Sequence, residues 1–222
     1  MRALPGKASR QPPGPQPVSR TAAAADQRRR ILEATADLVS EQGYQGTTIE
    51  QVVRRAKVGY ATFYKNFEDK HQCYLELLDA AYGVTFHRVQ RAYDREEEWP
   101  DQVAAGLGSL FENIVAHPNI GRACLVEALT AGPEAVARHE GLLKKFTPLL
   151  KPGRELNPRR AELPDTLEDT LTGGVLWVIN QRLIAGEAAA LRGLLPETIE
   201  FVLRPYVGEQ KAAREAELAA SS

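Results

Sequence analysis

Residues 47 to 67, TTIEQVVRRAKVGYATFYKNF, carry two short helical patterns joined by a three-residue turn, and no other stretch constrains the fold as tightly. Thr47 with Glu50 and Thr48 with Gln51 each have capping-box spacing, so either threonine can start the first helix by accepting from a free backbone N–H. Behind them Ile49, Val52, Val53 and Ala56 recur at helical intervals as one apolar stripe, with Glu50, Gln51, Arg54 and Arg55 facing elsewhere. Lys57, Val58 and Gly59 interrupt the pattern. Val58 can plug the angle between the helices, and Gly59 is acceptable as the next N-cap. A second helix is expected from Tyr60 to about Asn66.

On that second helix Phe63 and Phe67 are four residues apart and can bury together, which turns Ala61, Thr62 and Lys65 outward. A short helix held by two aromatics, with a small, polar and cationic outer face, fits a DNA major groove. Tyr60 lies nearer the buried edge, so its reach to a base depends on its place in the first turn. The alternative is an ordinary helical hairpin within an all-α core. Upstream, Asp26 to Glu41 places Ile31, Ala34, Thr35 and Leu38, and again Leu32, Ala36 and Val39, at helical spacing, with Gly43 as a C-cap.

Together, ILEATADLVSEQGYQGTTIEQVVRRAKVGYATFYKNFEDKHQCYLELLD resembles the N-terminal DNA-binding domain of the tetracycline-repressor (TetR) family of bacterial transcription regulators, over about residues 28 to 80. The resemblance implies an all-α chain: an N-terminal three-helix helix-turn-helix domain, then a C-terminal helical domain for ligand binding and dimerisation. It also implies that Tyr60, Ala61 and Thr62 approach base edges and that Thr48, Tyr64, Asn66 and Lys70 touch phosphates. Thr47, Lys57, Gly59 and Lys65 complete the expected DNA-binding set. Hydroxyl, amide and ammonium groups are all phosphate donors, and Lys70 starts the following helix. The chain departs from the commoner family pattern at Lys57, where a turn Gly is usual, and at Gly59, where Ser is frequent. A left-handed Lys57 would cost on the order of 1 kcal/mol and leave the fold intact.

The near-zero net charge hides an asymmetry: residues 1–70 carry 12 Lys and Arg against 7 Asp and Glu, whereas residues 71–222 carry 16 against 22. The basic half is the half with the reading motif. Residues 1–20 contain five prolines and no apolar run, and read as a disordered arm whose Arg2, Lys7, Arg10 and Arg20 are cationic. The expected domains are this arm, the helix-turn-helix unit over 21–70, the effector and dimerisation domain over 71–208, and a charged, Ala-rich tail over 209–222. Without a signal-peptide core or a bilayer-length apolar run, the chain is expected to be cytoplasmic. Cys73 and Cys124 are expected to be reduced and buried.

From Lys70 the pattern stays helical, with Tyr74, Leu77, Leu78, Ala81 and Thr85 on one stripe of a helix continuing toward Tyr93. Trp99-Pro100 is expected to break it and Asp101 to cap a helix to about Ala116. Further helices are expected over 120–130, 133–150, 165–186 and 194–206, with a polar loop over 151–164. Leu167, Leu171, Val175, Val178, Ile179 and Leu183 make a wide apolar surface, and Gly173-Gly174 permits close approach. In TetR-like proteins the last two helices pair with those of a second subunit. Leu171, Gly174, Val175 and Val178 are therefore the expected dimer contacts, unless this helix is the monomer's central core. A two-fold axis would make the DNA site a palindromic operator.

The resemblance also implies a small-molecule effector, bound by the middle helices, that releases DNA. Phe86, Tyr93, Phe111, Phe146 and Trp177 are the available aromatics, and Asn113, His117, Asn180 and Gln181 the polar anchors. Glu127 can pair with Arg122 or Arg138. The competing class is an all-α small-molecule-binding protein or enzyme whose helix-turn-helix does not read DNA. Against an enzyme, GxSxG, GxGxxG, P-loop, HExxH and paired CxxC motifs are absent, and the four histidines are too scattered to suggest a metal. No cofactor is expected.

Overall fold

Gly43 ends the first apolar stripe by leaving helical geometry, at φ 79° and ψ 162°, within α1 (Val18–Gly46). The computed structural model describes residues 18–220, and every regular element among them is helical. Most of the expected arm, residues 1–17, lies outside them. Of the two candidate caps for α2 (Ile49–Ala56), Thr48 is the one used. Gln51 N donates to its hydroxyl at 3.3 Å, and Thr48 N donates to the Gln51 side chain at 2.8 Å. Thr47 instead turns inward and its hydroxyl donates to the Gly43 carbonyl at 2.9 Å. Lys57 is left-handed (φ 53°, ψ 49°), and α3 (Tyr60–Asn66) starts behind Gly59. Ile31, Leu38, Val52, Ala56, Phe63 and Phe67 close a small core between these three helices, with the two phenylalanine rings 5.7 Å apart.

Asp69 caps α4 (Lys70–Tyr93) by accepting from Gln72 N at 2.7 Å. This helix belongs to both cores: Cys73 packs into the small one, while Tyr74, Leu77, Leu78 and Tyr82 enter the larger one. Next comes α5 (Trp99–Ala116), which starts at the Trp99-Pro100 pair that the sequence suggested as a break. Proline in the first helical turn forfeits only an N–H that has no partner there, so it opens the helix instead of ending it. The helix expected over 120–130 is three pieces: α6 (Pro118–Gly121), a π-helical turn (Arg122–Val126) and a 3-10 turn (Glu127–Thr130). After α7 (Pro133–Leu150), the expected polar loop contains 3-10 turns at Lys151–Leu156 and Arg160–Glu162. The chain closes with α8 (Leu167–Ala185), α9 (Leu191–Val207) and α10 (Glu209–Ala220).

The last of these occupies the segment whose charge suggested a tail. Gly208, at φ 80°, turns the chain, and Ala212 and Ala216 lay a buried small-residue stripe between it and its neighbours α9 and α5. Two buried anchors fix the far end of the molecule. Glu168 takes two bonds from Arg154 (2.7 and 2.8 Å) and one from the Tyr206 hydroxyl (3.0 Å), tying α8 to the 151–156 turn and α9. Trp99 and Tyr93 both donate to the Leu149 carbonyl at 3.0 Å, and the Trp99 indole lies flat over Gly153, leaving no room there for a Cβ. Cys73 and Cys124 are free and buried in different parts of the molecule; burial pushes their thiols up to about 11 and about 12. No helix among the described residues is long and apolar enough to cross a membrane.

Candidate functional site

The α3 surface follows from the burial of Phe63 and Phe67. With those two rings turned in, Gly59, Tyr60, Ala61, Tyr64 and Lys65 are exposed and Thr62 is half-buried beside them. Tyr60 and Tyr64 are 50% and 55% exposed, so both hydroxyls are free to meet a partner. Thr48 and Lys57 are exposed at the two ends of α2, flanking α3. The outer face is therefore small in the middle and polar or cationic at its rim, a shape suited to a groove floor and its phosphate walls.

Four of the expected DNA contacts are already engaged, Thr48 among them through the α2 cap described above. Thr47 is buried and does not belong to the surface, because its hydroxyl is needed by the Gly43 carbonyl where α1 breaks. Asn66 donates to the Thr62 carbonyl at 2.7 Å. The Lys70 ammonium donates to the Tyr44 and Thr47 carbonyls, both at 2.9 Å, and sits 4.3 Å from the Tyr44 ring centre. Burial pushes the Lys70 ammonium pKa down, and the two carbonyls leave one N–H of the three for a phosphate.

Behind this surface, α1 is wired to the rest of the molecule. Arg28 donates to the Asn66 carbonyl at the end of α3 (3.2 Å), pairs with Glu76 on α4 and lies 4.6 Å from the Phe67 ring centre. Arg122 donates to the Ser40 carbonyl on α1 (3.1 Å) and to the Leu183 carbonyl on α8 (3.2 Å). Of the two partners considered for Glu127, Arg122 is the neighbour, at 4.0 Å, whereas Arg138 pairs with Asp79 at 3.1 Å. Glu127 also accepts from Tyr44 N at 3.4 Å.

A cavity of about 550 Å³ opens beside these links. One stripe of α4, Leu77, Ala81, Thr85, Val89 and Tyr93, forms a wall, so the cavity follows roughly 24 Å of that helix. Residues of α5, α6, α7, α8, α9 and the π-helical turn, almost all apolar, line much of the rest. Among the expected effector contacts, Tyr93, Asn113, His117 and Phe146 line this cavity. Asn113 donates to the Thr85 hydroxyl there at 3.0 Å. Phe86, Phe111, Trp177, Asn180 and Gln181 lie outside the lining: Phe111 is core, Phe86 stacks edge-on behind Phe146 at 5.4 Å, and Trp177 is 65% exposed. Sequence reasoning missed the contribution of α1, whose Ala25, Arg28, Arg29 and Leu32 also border the cavity. No local pattern could reveal it, since these residues meet α4 only through the tertiary fold.

The expected dimer contacts divide in a similar way. Leu171 and Val175 are buried within the subunit, Val178 is half-buried, and the Gly174 Cα faces the Phe201 ring of α9. Outward from them, Trp177 and Ile184 on α8 and Phe201 on α9 form the exposed apolar face. Among the described residues no three His, Cys, Asp or Glu side chains gather as a metal site.

Comparison with known proteins agrees with this arrangement. Residues 31–77 match the family model of bacterial regulatory proteins, tetR family. The transcriptional repressor KstR of Mycolicibacterium smegmatis is 36% identical over 70 residues, which is 32% of each chain. The chain spans about a third to a half of the length of the first curated relatives it matches. Among solved structures, the fatty acid degradation regulator FadR from Bacillus halodurans superposes with a TM-score of 0.72 at 16% identity, over 80% of this chain and 94% of that one. FadR from Bacillus subtilis in complex with stearoyl-CoA gives 0.68 at 15% identity, over 79% and 97%. Residues 31–77 thus carry the DNA-binding domain of the tetR family of bacterial regulatory proteins, and the helical fold behind it is shared with these solved structures.

Proposed function

We propose that this regulator is a repressor that binds a palindromic operator as a homodimer and lets go when an apolar small molecule fills the cavity along α4. The observation that carries the reading is the position of the cavity: it is bordered at once by α1 of the DNA-reading domain and by the helical core, so its contents touch both. A ligand acts on DNA affinity only through contacts that differ between the two states, and a cavity shared by both domains supplies such contacts. Its size and apolar walls suit a single molecule of ordinary metabolite dimensions. The exposed Trp177, Ile184 and Phe201 supply an apolar patch for a second copy, whose two-fold axis would present two α3 helices to successive major grooves.

Enrichment of sites from a random DNA pool by the purified protein near 0.15 M salt tests the DNA half of this reading without a guessed target. A palindrome with half-sites about one helical turn apart is the expected result. Enrichment of no motif would turn the reading toward a helical small-molecule-binding protein. The selected DNA then serves as the probe for ligands, which are expected to weaken binding by about fivefold or more.

A further inference from the structure

Gly43 breaks one bond of α1 in particular. In an unbroken helix Tyr44 N would donate to the Ser40 carbonyl, four residues back, but ψ 162° at Gly43 turns that N–H away. Both halves of the missing bond are taken by side chains from the larger core. Arg122 Nε donates to the Ser40 carbonyl at 3.1 Å, and Glu127 Oε2 accepts from Tyr44 N at 3.4 Å. These two residues stand at the ends of the π-helical turn, whose defining bond runs from Glu127 N to the Arg122 carbonyl. A π turn brings residues five apart onto one face, whereas an α-helix would set them about 140° apart around its axis. The π register is thus what lets Arg122 and Glu127 reach α1 side by side, with their charged groups 4.0 Å apart. Two hydroxyls of α4 hold it: Tyr74 donates to the Ala123 carbonyl at 2.6 Å and Tyr82 to the Cys124 carbonyl at 2.5 Å. Cys124 and Leu125, within the same turn, line the cavity.

We propose that Arg122 and Glu127 splice the break in α1, and that the π-helical turn between them conveys cavity occupancy to the reading domain. The inference rests on the effector reading above and gives it a route. What the splice fixes is the 43–47 segment, from which the reading surface is hung. The Gly43 carbonyl holds Thr47, the Tyr44 and Thr47 carbonyls hold Lys70, and Thr48 caps α2. Arg122 also donates to the Leu183 carbonyl at 3.2 Å, so the same guanidinium ties the break to α8. A molecule pressing on Cys124 and Leu125 from the cavity bears on the turn whose register sets both grips. Slipping toward α register carries Glu127 away from Arg122 and releases one side of the break. The pose of α2 and α3 then loosens, while the two cores stay packed through Cys73 and Leu77 of α4.

Hydrogen exchange of the full-length protein, followed by mass spectrometry without DNA, tests the splice. Arg122→Gln and Glu127→Ala are each expected to speed exchange over residues 40–56 about tenfold, with α9 unchanged. Glu127→Gln keeps an oxygen for Tyr44 N and is expected to exchange as the parent does. Unchanged exchange at 40–56, or equal acceleration along the whole chain, would overturn the splice. The route is tested by filling the cavity from the turn itself. Leu125→Trp is expected to lower affinity for the selected DNA about fivefold or more in the parent. In Glu127→Ala, where the link is already cut, the same change should have no further effect. An equal loss in both backgrounds, or none in either, would overturn the route. If Leu125→Trp does not fold, Leu125→Phe replaces it in the same two comparisons. Enrichment of no DNA motif would overturn the reading above and the route with it, whereas the exchange comparison needs no DNA and still decides the splice.

Discussion

Lys57 is the position where the chain accepts a local penalty at its DNA-reading turn. A non-glycine residue at φ 53° crowds its own Cβ against the carbonyl, and no cap bond depends on its side chain. Lys57→Gly should therefore raise stability by about 1 kcal/mol in urea titration. If the lysine meets a phosphate, the same variant should bind DNA more weakly, with a salt dependence shallower by about one charge. The α3 residues divide by what they could touch. Thr62→Ala should change preference at one base position of the selected site, whereas Tyr64→Phe should weaken all sequences about equally, both readable by competition binding against mutated half-sites. Uniform weakening by Thr62→Ala would remove it from the base-reading set. Thr47 shows why residue type alone overstates such a set: its hydroxyl is a good phosphate donor, yet it is buried and spent on the Gly43 carbonyl where α1 breaks, whereas Lys70 commits two of its three N–H groups to carbonyls and keeps one.

The elements that were legible in the chain are those whose ends are fixed by their own neighbours. Thr48 with Gln51, the 57–59 turn and the Phe63–Phe67 pair act within a few residues, so α2, α3 and the reading face could be located without the fold. The 118–130 segment and α10 were not legible for the opposite reason. The first is split into three helical types where it must serve α1, α8 and the cavity together, and the second is helical because α9 and α5 cover its alanines. Likewise the middle helices are where the sequence places an effector cavity, and α1, distant in the chain, also borders it. The buried Glu168 illustrates what holds such non-local elements. Burial alone would push its carboxyl up, but the Arg154 guanidinium and the Tyr206 hydroxyl hold it below the ordinary value of 4.5. Its contribution to stability is therefore present above about pH 4.5 and lost as the pH falls through the lower folded value. Glu168→Gln should cost about 3 kcal/mol at pH 7, by leaving Arg154 without its charge partner, and should flatten the acid limb of the stability curve. An unchanged acid limb would assign that limb to other carboxylates.

At the scale of the whole molecule, the apolar face of α8 and α9 and the paired reading helices belong to one prediction. Trp177→Asp places a charge in the middle of the exposed patch without disturbing the subunit core, since the side chain is 65% exposed. Sedimentation should then show a monomer, and affinity for a palindromic probe should fall steeply while a single half-site is bound as before. A dimer that persists would move the interface elsewhere. The packing of Trp99 on Gly153 has a consequence of another kind, in the record of substitutions the chain can tolerate. The indole cannot yield, because its N–H holds the Leu149 carbonyl and its far side meets the Tyr206 ring at 5.0 Å. Every missense change at a glycine codon adds a Cβ, so residue 153 has no acceptable single-step neighbour in sequence space. In a saturation library scored for folded protein, even Gly153→Ala should be depleted, with overpacking costing about 1–3 kcal/mol. Gly141→Ala, which meets open space within α7, should pass unnoticed or gain. Descendants of this chain are thus expected to drift freely at one glycine and to remain silent at the other.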